Sequence, residues 1–215
     1  MSKHAFWKAF IFTAIIFGFG LILGFFLEGF QSDNIYSKLI DSELNLLDDQ
    51  LTHEIINDYN VSCVQARVSL FAFADKIYSE AVELEEIDGI GRLGDLTVLH
   101  KRYDLLRALL LKESKNLKER CGNDFHIITY FYLYNSQNIE ISSKQNYFSR
   151  VLYDLKELHS DTVLLIPIAS DTGLSSVDLL TNALNIHTYP SIIIDDAIVT
   201  TENPTLTELE EKLVF

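Results

Sequence analysis

The thiols are the first place to look for chemistry, and there are only two, Cys63 and Cys121, in 215 residues. Such a pair can staple a fold, exchange disulfides or hold a metal. The six histidines, His4, His53, His100, His126, His159 and His187, are scattered. None stands at i, i+4 with another ligand in a recognised metal pattern; His53-Glu54 opens like H-E-x-x-H and goes no further, so it reads as a solvated helix face. Glu83, Glu85, Glu86 and Asp88 cluster as an exposed acidic face rather than a glycosidase or metal site. Gly89-Ile90-Gly91-Arg92-Leu93-Gly94 has the spacing of a dinucleotide fingerprint. It follows an acidic helical stretch instead of a strand, however, and negative charge there would repel a pyrophosphate; it reads as an interhelical turn. G-x-S-x-G and P-loop patterns are absent. No catalytic residue, cofactor or metal is assigned.

The elements that must position the cysteines begin with residues 9–27, an uncharged run rich in Phe, Ile, Leu and Gly. At about 1.5 Å of helical rise per residue it covers roughly 28 Å, close to the ~30 Å of bilayer hydrocarbon. Trp7 and Lys8 suit the near interface and Glu28 closes the far end. A buried soluble helix and a cleaved signal peptide are the alternatives. No small-x-small cleavage site precedes Glu28 and the run exceeds the usual apolar core of a signal peptide, so residues 9–30 read as an uncleaved signal anchor. Lys3 and Lys8 precede the run and only Lys38 lies close behind it, which places residues 1–8 in the cytoplasm and the bulk of the chain outside the cell membrane. Gly20 and Gly24 form a small-xxx-small pair through which two spans could meet as a homodimer.

Net charge is −14, and beyond the apolar segment 15 basic residues face 31 acidic ones. That balance argues against nucleic acid and anionic lipid headgroups as partners. In an oxidising compartment the two cysteines are expected to pair. Asn60-Val61-Ser62 makes Asn60 a glycosylation acceptor by pattern.

Residues 31–122 read as helical, a coiled-coil-like stalk. Apolar stripes at helical spacing run through Ile40, Leu44, Leu47, Leu51 and Ile55, then Val64, Val68, Phe71, Tyr78 and Val82, then Leu96, Leu99, Tyr103, Leu106 and Leu110. Ser32 or Asp33 would cap the first helix, and Gly122 would close the third in a left-handed conformation. Cys63 precedes Arg92 by 29 positions and Cys121 follows it by 29. Two antiparallel helices folded at that loop bring the sulfurs level, so a Cys63–Cys121 disulfide is expected at the open end of the hairpin. Closing a loop of ~58 residues would stabilise it by roughly 4 kcal/mol on chain-entropy grounds. A redox-active pair or two free thiols remain the alternatives.

Past Asn123 the periodicity changes to strands at 125–134, 162–168, 191–195 and 197–200, with helices at 145–159, 175–184 and 205–214 between and after them. The order β-α-β-α-β-β-α, taken as two parallel crossovers followed by a hairpin, implies a four-stranded mixed sheet with helices on both faces, so the whole chain is of mixed α+β and α/β class.

With Leu184-Asn185-Ile186, a short loop and Tyr189-Pro190-Ser191 placed where they are, residues 123–215 resemble the thioredoxin superfamily. The resemblance implies a cis Tyr189–Pro190 bond opening the third strand; a trans bond in a generic turn is the alternative. It also implies a groove for extended peptide beside Tyr189, Pro190 and residues 135–143. The family's Cys-x-x-Cys is missing: residues 135–147 contain serines but no cysteine, so disulfide exchange does not carry over. The leading expectation is a membrane-anchored binding or assembly protein with a redox-inactive thioredoxin-like domain that docks a protein or peptide. The alternatives are a thiol-disulfide oxidoreductase or isomerase using Cys63 and Cys121, and an accessory subunit of a membrane complex, loosely similar to those of oligosaccharyltransferases.

Overall fold

The structure is a computed structural model that describes residues 6–8, 10–24, 44, 47–48, 50–52, 54–56, 59, 61–88, 97–122, 125–200 and 202–213. The chain divides into two compact units, Met1–Thr52 and His53–Phe215.

In the first unit, helix α1 (Phe6–Gly24) has 19 residues, a mean hydropathy of 2.0 and no buried residue in its apolar window. It is long and apolar enough to cross a membrane, the one such helix among the described residues. Trp7 and Phe10 meet edge to face at 6.1 Å. Added methyls at Gly20 and Gly24 would meet nothing within 4 Å. The stripe expected at Leu44, Leu47 and Leu51 is exposed, while Ile40, Ser32 and Asp33 lie outside the described residues.

The second unit begins with a helical hairpin, α2 (Cys63–Asp88) and α3 (Thr97–Cys121). Residues 89–96, expected as its turn, lie outside the described residues. Arg102 pairs with Glu80 at 3.3 Å and the Tyr103 hydroxyl donates to the Glu80 carbonyl, which sets the antiparallel register. Here the sequence expectation is corrected. Val64, Val68, Tyr78 and Val82, taken as the inward stripe of α2, are exposed; Ala66, Leu70, Phe73, Ile77 and Ala81 are buried instead. Alpha-helix α2 carries two apolar stripes, and the one containing alanines allows the closer approach to a neighbouring backbone. In α3 the expected Tyr103, Leu106 and Leu110 are buried. Gly122 follows at φ +93° and donates its N–H to the Lys118 carbonyl, a left-handed closure of the helix.

The sheet follows, built from β1 (His126–Tyr132), β2 (Val163–Ala169), β3 (Ser191–Ile194) and β4 (Ala197–Thr200) in the order β2-β1-β3-β4. Strands β1 and β2 are parallel, β3 is antiparallel to β1, and β4 to β3, so only the first of the two expected crossovers is parallel: the chain re-enters the sheet after α5 from the opposite end, beside β1. Strand β1 is buried along its first six residues, as a central strand covered on both faces must be. On one face Ile128, Tyr130, Val163, Ile192 and Ile194 pack with Phe148, Leu152 and Leu155 of α4 (Ile139–Leu158) and with Leu209 of α6 (Leu206–Glu210). On the other face lie α3 and α5 (Ser175–Ala183). The hairpin and the sheet therefore share one core, in which α3 touches α2, α5, β1 and β2. Alpha-helix α2 adds to the hold: Arg67 donates to the Asp161 carbonyl at 3.3 Å, and the Lys156 ammonium, whose pKa is lowered by burial, lies 5.3 Å from the centre of the Phe71 ring.

Helix α4 starts six residues earlier than its periodicity indicated, because the Asn138 side chain accepts from the N–H groups of Glu140 and Ile141 and caps the helix there. The last helix is shorter than expected; Thr205 and Glu208 open it with a reciprocal capping box. Strand β2 is an edge of the sheet and carries Pro167 in its interior, opposite Tyr130.

Candidate functional site

The carboxyl ends of β1 and β2 meet the start of β3, and the polar side chains of the sheet unit converge there. Ser191 pairs with Phe131, which sets the Tyr189–Pro190 bond beside the end of β1. That bond is cis, Pro190 is buried and Tyr189 half-buried. The Ser191 hydroxyl donates to the Thr188 carbonyl and fixes the entry to the strand.

The loop from β1 to α4 is held from two sides. Asp171 accepts the Tyr134 N–H at 2.6 Å on one carboxylate oxygen and the Asn135 N–H at 2.8 Å on the other. Gln145, from α4, accepts the Leu133 N–H at 2.9 Å and donates to the Leu133 carbonyl at 3.0 Å, so its amide pairs with the chain as another strand would. The Ser142 hydroxyl reaches the Ser136 carbonyl at 3.3 Å. Ile139 stands at the head of α4 with 83% of its surface exposed. Behind the loop, the His100 and Tyr134 rings lie 4.0 Å apart.

Beneath this edge α3 inserts Asp104, which is 1% exposed. One carboxylate oxygen accepts the Ala169 N–H at 3.1 Å and lies 3.6 Å from the Arg107 guanidinium. Burial pushes the Asp104 pKa above the usual carboxylate range, against the opposing pull of the Ala169 N–H and Arg107. The Thr172 hydroxyl is near enough to favour the charged form slightly, yet Asp104 Oδ2, Ser170 Oγ and Thr172 Oγ1 make no hydrogen bond of good geometry.

This arrangement presents ordered backbone and an exposed apolar side chain. Ser136, Ser142 and Ser143 supply hydroxyls, and no histidine or carboxylate is hydrogen-bonded to them as a base. The cysteines are elsewhere. Cys63 and Cys121 form a disulfide with S–S 2.01 Å and Cα–Cα 5.6 Å at the open end of the α2–α3 hairpin, and neither is free. Cys121 leads into the amino end of β1, whereas Pro190 flanks its carboxyl end. Seven strand residues, roughly 20 Å, lie between those ends. Asn60 lies outside the described residues. Among those residues no three His, Cys, Asp or Glu side chains are grouped to hold a metal.

A cavity of about 280 Å3 opens at the other end of the sheet, between α3 and the β3–β4 turn. Asp195 and Asp196 form that turn at φ 48° and 71°, a left-handed conformation that non-glycine residues seldom adopt. Side chains hold it: Asp195 accepts from the Lys118 ammonium at 2.5 Å and the Ile127 N–H at 2.9 Å, and meets His126 Nδ1 at 2.6 Å. Lys115 pairs with Asp196. Burial works to raise the Asp195 pKa, but the Ile127 N–H, Lys118 and His126 outweigh it and hold the carboxyl below its usual range. Sequence reading marked Asp195-Asp196 as a turn; the roles of Asp171, Gln145 and Asp104 depend on partners 12 to 65 positions away and left no local signal.

No family model matches the chain, and neither does any curated protein. A solved structure titled "Structure of a malarial protein" aligns with 42% of this chain and 99% of its own at 16% identity, with a TM-score of 0.32.

Proposed function

We infer that the chain is a single-pass, membrane-anchored binding or assembly protein. Its bulk lies outside the cytoplasm, and its sheet is a redox-inactive thioredoxin-like domain that docks an extended peptide. The strand order β2-β1-β3-β4, the parallel β1–β2 pair and the proline before β3 support the fold. The apolar helix α1 and the two lysines before its core support the anchor and its orientation.

One observation carries the docking role: the edge beside Pro190 is preorganised by Asp171 and Gln145, while the chain's two cysteines are joined at the far end of β1. A held loop binds a peptide without first having to be ordered. An exposed Ile139 gives it an apolar contact.

The test is to titrate the full chain, in detergent micelles, with a library of unstructured peptides, and to assay insulin reduction in parallel. Asp171→Ala should weaken peptide binding about tenfold. Cys63→Ser should lower the stability to urea by about 4 kcal/mol, the loop-closure value for a loop of this length, and leave peptide affinity unchanged. Insulin reduction abolished by Cys63→Ser or Cys121→Ser would replace this reading with that of an oxidoreductase.

A further inference from the structure

The cavity beside the β3–β4 turn has a floor and a rim of different chemistry. Leu111, Ile127, Thr129 and Ile193 line the floor and are each 2 to 4% exposed. At the rim, Asp195 is already committed to Lys118, His126 and the Ile127 N–H. Lys115 and Asp196 pair with each other, with side chains 31% and 61% exposed. An ion pair that open to water is worth little and exchanges readily.

We propose that this cavity binds a free apolar α-amino acid. The ligand carboxylate takes Lys115, its ammonium takes Asp196, and its side chain enters the floor. A ligand with only one of the two charges would separate Lys115 from Asp196 and leave one of them unmatched; a zwitterion restores both pairings and leaves the charge of the site, which Glu119 also lines, unchanged. The apolar floor sets the requirement for a hydrocarbon side chain. At about 280 Å3 the cavity falls just below the ~300–1,000 Å3 of drug-sized pockets, a volume that suits a small ligand. The site lies at the end of the sheet opposite Pro190 and does not depend on the peptide groove.

Calorimetric titration of the full chain in micelles with L-leucine, leucinamide, isocaproate and glycine tests the idea, together with methyl NMR of Ile127 and Ile193. Leucine should bind at least about tenfold more tightly than leucinamide or isocaproate, with glycine weakest, and should shift both isoleucine methyl signals. Lys115→Met should erase the preference for leucine over leucinamide, and Asp196→Asn the preference over isocaproate. Both residues sit at the cavity rim, and an unchanged far-ultraviolet circular dichroism spectrum confirms that the variants fold. Equal affinity for leucine and leucinamide, heat without movement of the two methyl signals, or no binding by any of the four compounds would each overturn the proposal.

Discussion

A buried aspartate, Asp104, and a half-buried one, Asp195, respond to acid in opposite directions. The pKa of Asp195 is held down in the folded chain, so its stabilisation is complete above the ordinary aspartate value of about 3.9 and is lost as pH falls below that and through the depressed folded value. Asp104 is the reverse. Burial raises its pKa, so the folded state is favoured below the ordinary value and loses stability as pH rises through the shifted one. Asp195→Asn should therefore cost about 2 kcal/mol at neutral pH and flatten the acid limb of the stability curve. Asp104→Asn should keep the acceptor for the Ala169 N–H and offer an amide donor towards Thr172. It should gain about 1 kcal/mol at neutral pH, the order of one unsatisfied buried polar group. Urea unfolding of both variants between about pH 3 and 8 checks the signs; slopes in the same direction would contradict them.

Among the elements, the strands were the most legible. His126–Tyr132 is dense in β-branched and aromatic residues and Val163–Ala169 is a short apolar run bounded by polar turns, but nothing local told that β3 would run antiparallel to β1. The hairpin register was legible because the cysteines are equidistant from a glycine-rich turn. The inner face of α2 was not. The stripe at 64, 68, 71, 78 and 82 is about as apolar as the buried one of Ala66, Leu70, Phe73, Ile77 and Ala81, but close helix packing favours the face with alanines, and periodicity carries no information about neighbour distance. The start of α4 was hidden for a related reason, since one side-chain cap at Asn138 decides it. The two faces of α2 give a direct comparison. Leu70→Ala should cost about 3 kcal/mol through the cavity it leaves, and Val68→Ala less than about 0.5 kcal/mol. Similar losses from the two, measured by thermal unfolding, would mean that Val68 is covered as well.

At the scale of the whole molecule, a long apolar helix and a strongly acidic remainder are joined in one chain of net charge −14. If α1 spans a bilayer, the wild-type chain stays in the membrane pellet through alkaline carbonate. Ile15→Arg, at the centre of α1, should move it toward the supernatant, because an arginine there opposes insertion by about 3 kcal/mol. Wild-type protein released by carbonate would sink the span. Anchored chains also face a hazard that freely diffusing ones meet less often: neighbours held in one plane collide repeatedly in similar orientations, and an open strand invites zipping between copies. Strand β2 is the apolar edge of this sheet, but its outward donors are spoken for: the Val163 N–H goes to the His159 carbonyl and the Ala169 N–H to Asp104, while Pro167 between them has none. A second strand arriving at this side would find few hydrogens to knit with.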